Sequence, residues 1–243
     1  MNNLQVLTTS QISDTFVPSP ILDIYYQLEK NHENHLDWNI ASEEQLWREL
    51  CFCILSGNVA FELAKSVVDV LTERGYLDYK WMKEDNKSTI SLFHELDKPN
   101  FHPRKKDGEL RKYRYPKKRS AEIVKAAKAL YNDNNSIKNV LSNTTSDLET
   151  RNFFVNQISG LGIKEASHFL RNIGFTNSLA IIDVHVLTFL KEFSLVDFDT
   201  NSSLTLQRYL RLEKTLRNFA EYHGFDLALF DLAVWHYMRN REL

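Results

Sequence analysis

The chain has 243 residues, of which 43% are hydrophobic and 26% charged, and its net charge is −2. These values suit a soluble globular protein with room for a sizeable core, as one domain or two subdomains. They exclude a membrane-spanning chain, because the longest apolar runs, such as CFCIL and LALF, fall far short of a span. The first residues, MNNLQVLTTSQISDTF, lack the basic start and long apolar segment of a secretory leader, so a soluble intracellular protein of the cytoplasm or nucleoid is expected. Two cysteines, Cys51 and Cys53, make neither a disulfide framework nor a four-cysteine cluster site, and the eight histidines show no metal-binding spacing. No metal or other cofactor is expected.

In chain order, almost every regular segment reads as helix. SEEQLWRELCFCILSG opens with Ser42 and Gln45 in the spacing of a capping box and stops at Gly57. Leu46, Leu50, Cys53 and Ile54 then share one face. AFELAKSVVDVLTERG turns Leu63, Val67, Val70 and Leu71 inward and ends at Gly75, and TISLFHELD is a shorter candidate.

Between Arg104 and Arg119 the chain holds nine Lys/Arg and two Asp/Glu, a local balance of +7 on a protein that is otherwise acidic. Pro103, Gly108 and Pro116 mark the segment as a loop or short hairpin. It is either a solvated surface loop or an edge that faces a polyanion, with Lys117 and Lys118 as phosphate contacts and Tyr113 and Tyr115 as stacking faces. Ser120 is then expected to cap AEIVKAAKALYND.

TSDLETRNFFVNQIS carries a second capping-box pattern, Ser146 with Glu149, and leads into the turn GLGI. The next helix, from about Lys164, reads KEASHFLRN. Two short helices joined by a glycine turn, here about residues 147–172, expose backbone N–H groups that suit a phosphate oxygen, and Gly160 and Gly162 let the backbone approach it. The alternative is a helical corner with a glycine cap. After it come NSLAIIDVHVLTFLKEF, LQRYLRLEKTLRNFAEYHG and DLALFDLAVWHYMRNRE, all helical in pattern. Asp183, set among apolar residues, reads as the N-cap of VHVLTFLKEF, which would anchor its carboxylate. No segment alternates like a strand, and the fold class is all-α.

GLGIKEASHFLRNIG followed by AIIDVHVL resembles the helix–hairpin–helix DNA glycosylase superfamily, and within it the type-2 8-oxoguanine DNA glycosylase/AP lyase branch. The resemblance covers about 46–235 and is most specific at the hairpin. It implies two helical subdomains flanking a DNA-binding cleft, one of residues 42–175 and one of residues 1–41 plus 176–243. It implies a monomer acting on double-stranded DNA that contains an oxidised purine, with no membrane partner. Lys164 falls on the family's Schiff-base lysine and Asp183 on its catalytic aspartate, with His185 completing D-x-H. His185 is expected to bond DNA phosphate or Asp183. Asn58, in FCILSGN, falls on the residue that fills the gap left by an extruded base, its alternative being a turn residue or the N-cap of the next helix.

YRYPKKRSAEIV resembles a further family segment, and LFDLAVW places Asp231 and Trp235 as tentative base-pocket residues, with core packing the bland role for Trp235. His168 and Arg171 are candidate phosphate contacts or plain surface residues. The branch commonly ends in a lysine that helps recognise the oxidised purine, whereas this chain reads MRNREL there. Two other functions fit the same pattern. One is a glycosylase for another damaged base, against which stands the lack of any cysteine after Cys53, since that branch of the superfamily mostly carries a four-cysteine iron–sulfur cluster. The other is a non-catalytic helix–hairpin–helix module.

Overall fold

The computed structural model describes residues 16–31, 36–85, 87–132, 135–196 and 204–241. Residues 1–15 of the start read for a leader, and the final Glu242 and Leu243, lie outside them. Among the described residues there are twelve helices, and the only β pairing inside them is one antiparallel bridge between Phe101 and Arg111. No helix there is long and apolar enough to cross a membrane. The chain divides into two compact units, residues 36–175 and residues 1–35 with 176–243.

In the first unit, α2 (Glu43–Ser56) is the central helix, with Leu46, Trp47, Leu50, Cys51, Cys53, Ile54 and Leu55 all buried. Ser42 and Gln45 form both halves of the expected capping box. α3 (Phe61–Glu73) packs on α2 through Ala64, Val67, Val68 and Leu71. α4 (Tyr79–Glu84), α5 (Ser88–Leu96), α6 (Pro116–Leu130) and α7 (Ile137–Asn143) continue the unit, which α8 (Asp147–Gln157) and α9 (Ile163–Asn172) complete. α6 begins four residues before the expected Ser120 cap. Pro116 occupies its first turn, where the missing N–H is no loss, and Ser120 instead donates its hydroxyl to the Lys117 carbonyl. The capping box expected at Ser146 is also displaced. Ser146 does accept the Glu149 N–H, but the Glu149 carboxylate bonds Thr145 rather than the Ser146 N–H.

The basic segment is more internally committed than its composition suggests. Tyr113 is buried, and its hydroxyl donates to the Leu55 carbonyl at 2.7 Å, so this ring is a strut of the core and not a stacking face. Arg104 and Arg111 donate to carbonyls of their own loop, Lys105 pairs with Glu109 at 2.9 Å, and Lys112 lies 3.5 Å from Asp97.

The second unit holds α1 (Ser19–Asn31), α10 (Val184–Glu192), α11 (Leu206–Tyr222) and α12 (Leu227–Arg241). α1 packs along α12, and the Tyr25 hydroxyl accepts the Asp226 N–H just before that helix. Phe189, Phe219 and Phe230, one from each of α10, α11 and α12, meet with ring centroids 5.7–6.2 Å apart at its centre.

Removing the Tyr113 hydroxyl leaves a buried carbonyl short of a donor. Tyr113→Phe is expected to lower unfolding free energy by about 1–2 kcal/mol, read by denaturant titration. An unchanged midpoint would mean that Leu55 finds another donor.

Candidate active site

The glycine turn is shaped by steric necessity. Gly160 has φ +94°, and a Cβ there would lie 3.0 Å from Ile54 Cγ2 and 3.1 Å from Glu122 Cβ. Only glycine combines that backbone with so close an approach to α2 and α6. Gly162, in extended backbone, is the N-cap of α9, and its N–H donates to Glu165 Oε2 at 3.2 Å. Glycine has no side chain to complete the other half of a capping box. α9 then buries Ala166, Ser167, Phe169 and Leu170 against α2 and α8. Across the hairpin, Phe154 and Phe169 pack at 5.0 Å and Arg151 donates to Ser167 Oγ at 3.2 Å.

Lys164 is the second residue of α9 and half-buried, its side chain 31% exposed. Its Nζ lies 3.3 Å from Glu165 Oε1. Glu165 thus serves the turn with one oxygen and the amine with the other. A glutamate three residues after an N-cap is the local sequence signal for such a carboxylate.

His168, one turn beyond Lys164, is half-buried with its ring edge-on to Phe52 at 5.8 Å. Burial, reinforced by the charges of Arg171 and Lys164, pushes its pKa down to about 3, so the imidazole is neutral. Arg171 is buried at 6% exposure on the packed face of α9, so it is not a plain surface residue. Asn58 is an exposed turn residue with φ +58°, a conformation that asparagine tolerates better than most. Its carbonyl accepts from Arg114 at 3.4 Å. Lys117 and Lys118 are exposed on the first turn of α6, with Lys118 Nζ 3.8 Å from Glu122.

The residue that joins these parts is Arg119, by composition one of the basic block. It is buried at 7% exposure. Its Nη1 pairs with Glu122 Oε2 at 2.7 Å and reaches the Gly160 carbonyl at 3.3 Å, while Nη2 donates to the Gly57 carbonyl at 3.3 Å. A Cβ at Gly57 would overlap that guanidinium.

In the other unit, Asp183 is the N-cap of α10, its Oδ1 accepting the N–H groups of His185 and Val186, each at 2.9 Å. The extended segment leading to it hangs from α11 and α12. Ala180 N–H donates to Glu213 Oε1 at 3.1 Å, Ile181 N–H to Asp231 Oδ2 at 2.6 Å, and Ile182 N–H to the Tyr209 hydroxyl at 3.2 Å. That hydroxyl in turn donates to the Ala180 carbonyl. Asp231 is thus buried as an anchor of this segment. It is His185's main-chain N–H, not its ring, that bonds Asp183. The ring stands edge-on to Trp235 at 6.3 Å, with Nδ1 buried and lacking a partner among the described residues. Trp235 is half-buried rather than core, and the Arg239 guanidinium lies 4.7 Å from its ring centre.

A glycine-turned helical hairpin with a lysine at the head of its second helix, together with a carboxylate fixed at a helix N-cap, marks the helix–hairpin–helix class. A family model described as 8-oxoguanine DNA glycosylase matches residues 83–225. A relative from Korarchaeum cryptofilum, named 8-oxoguanine DNA glycosylase/AP lyase, is 31% identical over 83% of this chain and 84% of its own. One of the same name from Methanocaldococcus jannaschii is 29% identical, with 100% of this chain and 98% of the relative covered. The crystal structure of the Methanocaldococcus jannaschii 8-oxoguanine glycosylase/lyase with a 15mer DNA containing 8-oxoguanine superposes with a TM-score of 0.66 at 25% identity, covering 96% of each chain. The chain belongs to the 8-oxoguanine DNA glycosylase family.

The depressed His168 pKa has a measurable consequence. The folded imidazole takes up a proton only near pH 3, while the unfolded chain does so near about 6.5. Protons therefore favour the unfolded chain in that window, and stability falls as pH drops from about 6.5 toward 3. Ring proton shifts of His168 are expected to stay flat from pH 8 to pH 5 by NMR. A titration midpoint near 6.5 would contradict the neutral, packed ring.

Proposed function

We propose that the chain excises 8-oxoguanine from DNA and then nicks the strand at the abasic site, with Lys164 as the nucleophile and Asp183 as the carboxylate facing the developing sugar cation. The glycosylase and AP lyase activities follow from family membership with relatives of that name across most of the chain. The observation that carries the residue roles is the position of Lys164, immediately after the Gly160–Gly162 turn and at the head of α9.

The turn supports a grip on the DNA backbone that reads no sequence. The target nucleotide leaves the stack at a cost of a few kcal/mol, and Asn58, exposed on its left-handed turn, is the residue we assign to the vacated space. Cleavage of the glycosidic bond builds positive charge on the sugar, which a fixed carboxylate stabilises because it needs no reorganisation. The Lys164 amine bonds to C1′ as the bond from C1′ to the base breaks, and the base leaves with the electron pair and takes up the proton that the amine gives up. Opening of the sugar ring yields the Schiff base. Loss of a C2′ proton then expels the 3′ phosphate and cuts the strand, and water releases the lysine. Glu165 stands beside the amine. A single copy of the chain, working inside the cell on double-stranded DNA, is the acting unit in this reading.

Borohydride is expected to trap a covalent adduct between the wild-type protein and a duplex containing 8-oxoguanine, and Lys164→Gln to abolish it. Wild-type protein that gives no adduct while leaving the lesion intact would sink the assignment. Asp183→Asn keeps an N-cap and loses the charge, so single-turnover base release should slow by about 10²–10³-fold with the fold intact. A rate within a few-fold of wild type would remove Asp183 from the chemistry. For the basic segment, neutralising Lys117 and Lys118 together should weaken DNA binding and flatten the plot of log affinity against log salt by up to about 2 units of slope. An unchanged slope would mean that neither lysine meets phosphate.

A further inference from the structure

We propose that Arg119 is a positioning residue for the reaction, a single guanidinium that fixes the Lys164 hairpin against the Asn58 loop. The proposal rests on the roles given above to Lys164 and Asn58.

Three observations carry it. Arg119 bonds two carbonyls far apart in sequence, Gly57 and Gly160, which lie in the two loops concerned. The carbonyl of Gly57 belongs to the residue just before Asn58, and that of Gly160 stands four residues before Lys164. The guanidinium is itself held by Glu122 Oε2 at 2.7 Å, and it is buried, so its rotamer is locked and its contacts are shielded from water. A side chain at Gly57 would overlap the guanidinium, and one at Gly160 would press on Glu122 and Ile54.

The planar fork of arginine reaches Gly57 from one nitrogen and Gly160 and Glu122 from the other. A lysine at this place could keep the Glu122 pair and would not span both carbonyls. Because each loop is tied to the same planar group, a movement of one displaces the other. The nucleophile and the residue assigned to the vacated space are thereby set at one spacing before DNA arrives. Misplacement of a reacting group by about 1 Å can cost on the order of 10²-fold in rate, whereas the phosphate contacts that dominate affinity are little affected.

The test separates chemistry from binding. The rate constant of borohydride-trapped adduct formation is measured under single-turnover conditions with an 8-oxoguanine duplex, for wild type and Arg119→Lys. Affinity for the same duplex is measured in a Lys164→Gln background with and without Arg119→Lys, so that no reaction intervenes. The expected result is a rate constant about 10–100-fold lower with affinity within about twofold. A purely structural role would lower the amplitude, as folded protein is lost, and leave the rate constant of the remainder unchanged. Glu122→Gln provides a second variant, which keeps both carbonyl contacts and loses only the charge that orients the guanidinium. It should show a smaller fall in rate constant than Arg119→Lys, and if Arg119→Lys does not fold, a fall in Glu122→Gln with affinity retained carries the proposal. Wild-type rate constants in the folded variants, or affinity lost in step with rate, would overturn it. If the wild-type protein itself forms no adduct, the fault lies in the Lys164 assignment and not in Arg119.

Discussion

Helix α2 ends inside its unit, and the last carbonyls of a helix have no intrahelical donor. The way they are satisfied organises much of residues 36–175. Ser56 bonds back to Cys53 and Tyr113 donates to Leu55, while just past the helix end Arg119 donates to Gly57 and Arg114 to Asn58. Three of these donors come from one stretch of seven residues, 113–119, which closes the end of α2 and then starts α6. Cationic groups at that end also suit the negative pole of the helix. The hairpin turn is docked on the same guanidinium, so the placement of α9 follows from the termination of α2.

A comparable problem is solved in the other unit with carboxylates and a phenol. Residues 180–182 run without helix, and a buried amide without an acceptor is costly. Glu213, Asp231 and Tyr209 each take one of the three consecutive N–H groups. Segment and helices are thereby locked in register, and Asp183 follows at the end of the locked stretch. In both units, then, the residue assigned to chemistry sits one step beyond a backbone segment held by buried polar side chains.

What could be read from the sequence was local. Capping at Ser42 and the cap at Asp183 depend on neighbours two or three residues away, and both are visible in spacing. The hairpin glycines and the lysine after them are contiguous. Helices of one or two turns, such as α4 and α7, have too few residues to show a period. Ser120 looked like a cap because serine often is one, yet Pro116 starts the helix earlier. Tyr113 and Arg119 belong by composition to a DNA-facing block. Their partners lie 58 and 62 residues away, where no local pattern can point. Asp231 is the same case, bonded to an amide 50 residues distant.

The cap at Asp183 narrows what that position can become. One carboxylate oxygen is committed to two backbone N–H groups, so the side chain must be short enough to turn back on its own helix. Serine, threonine or asparagine could take that bond and would bring no charge. Glutamate would bring the charge with an extra methylene that carries it past the two amides. Aspartate alone among the ordinary residues meets both conditions. The demand comes from helix termination as much as from chemistry, so substitution there is restricted even in a relative that has lost its activity.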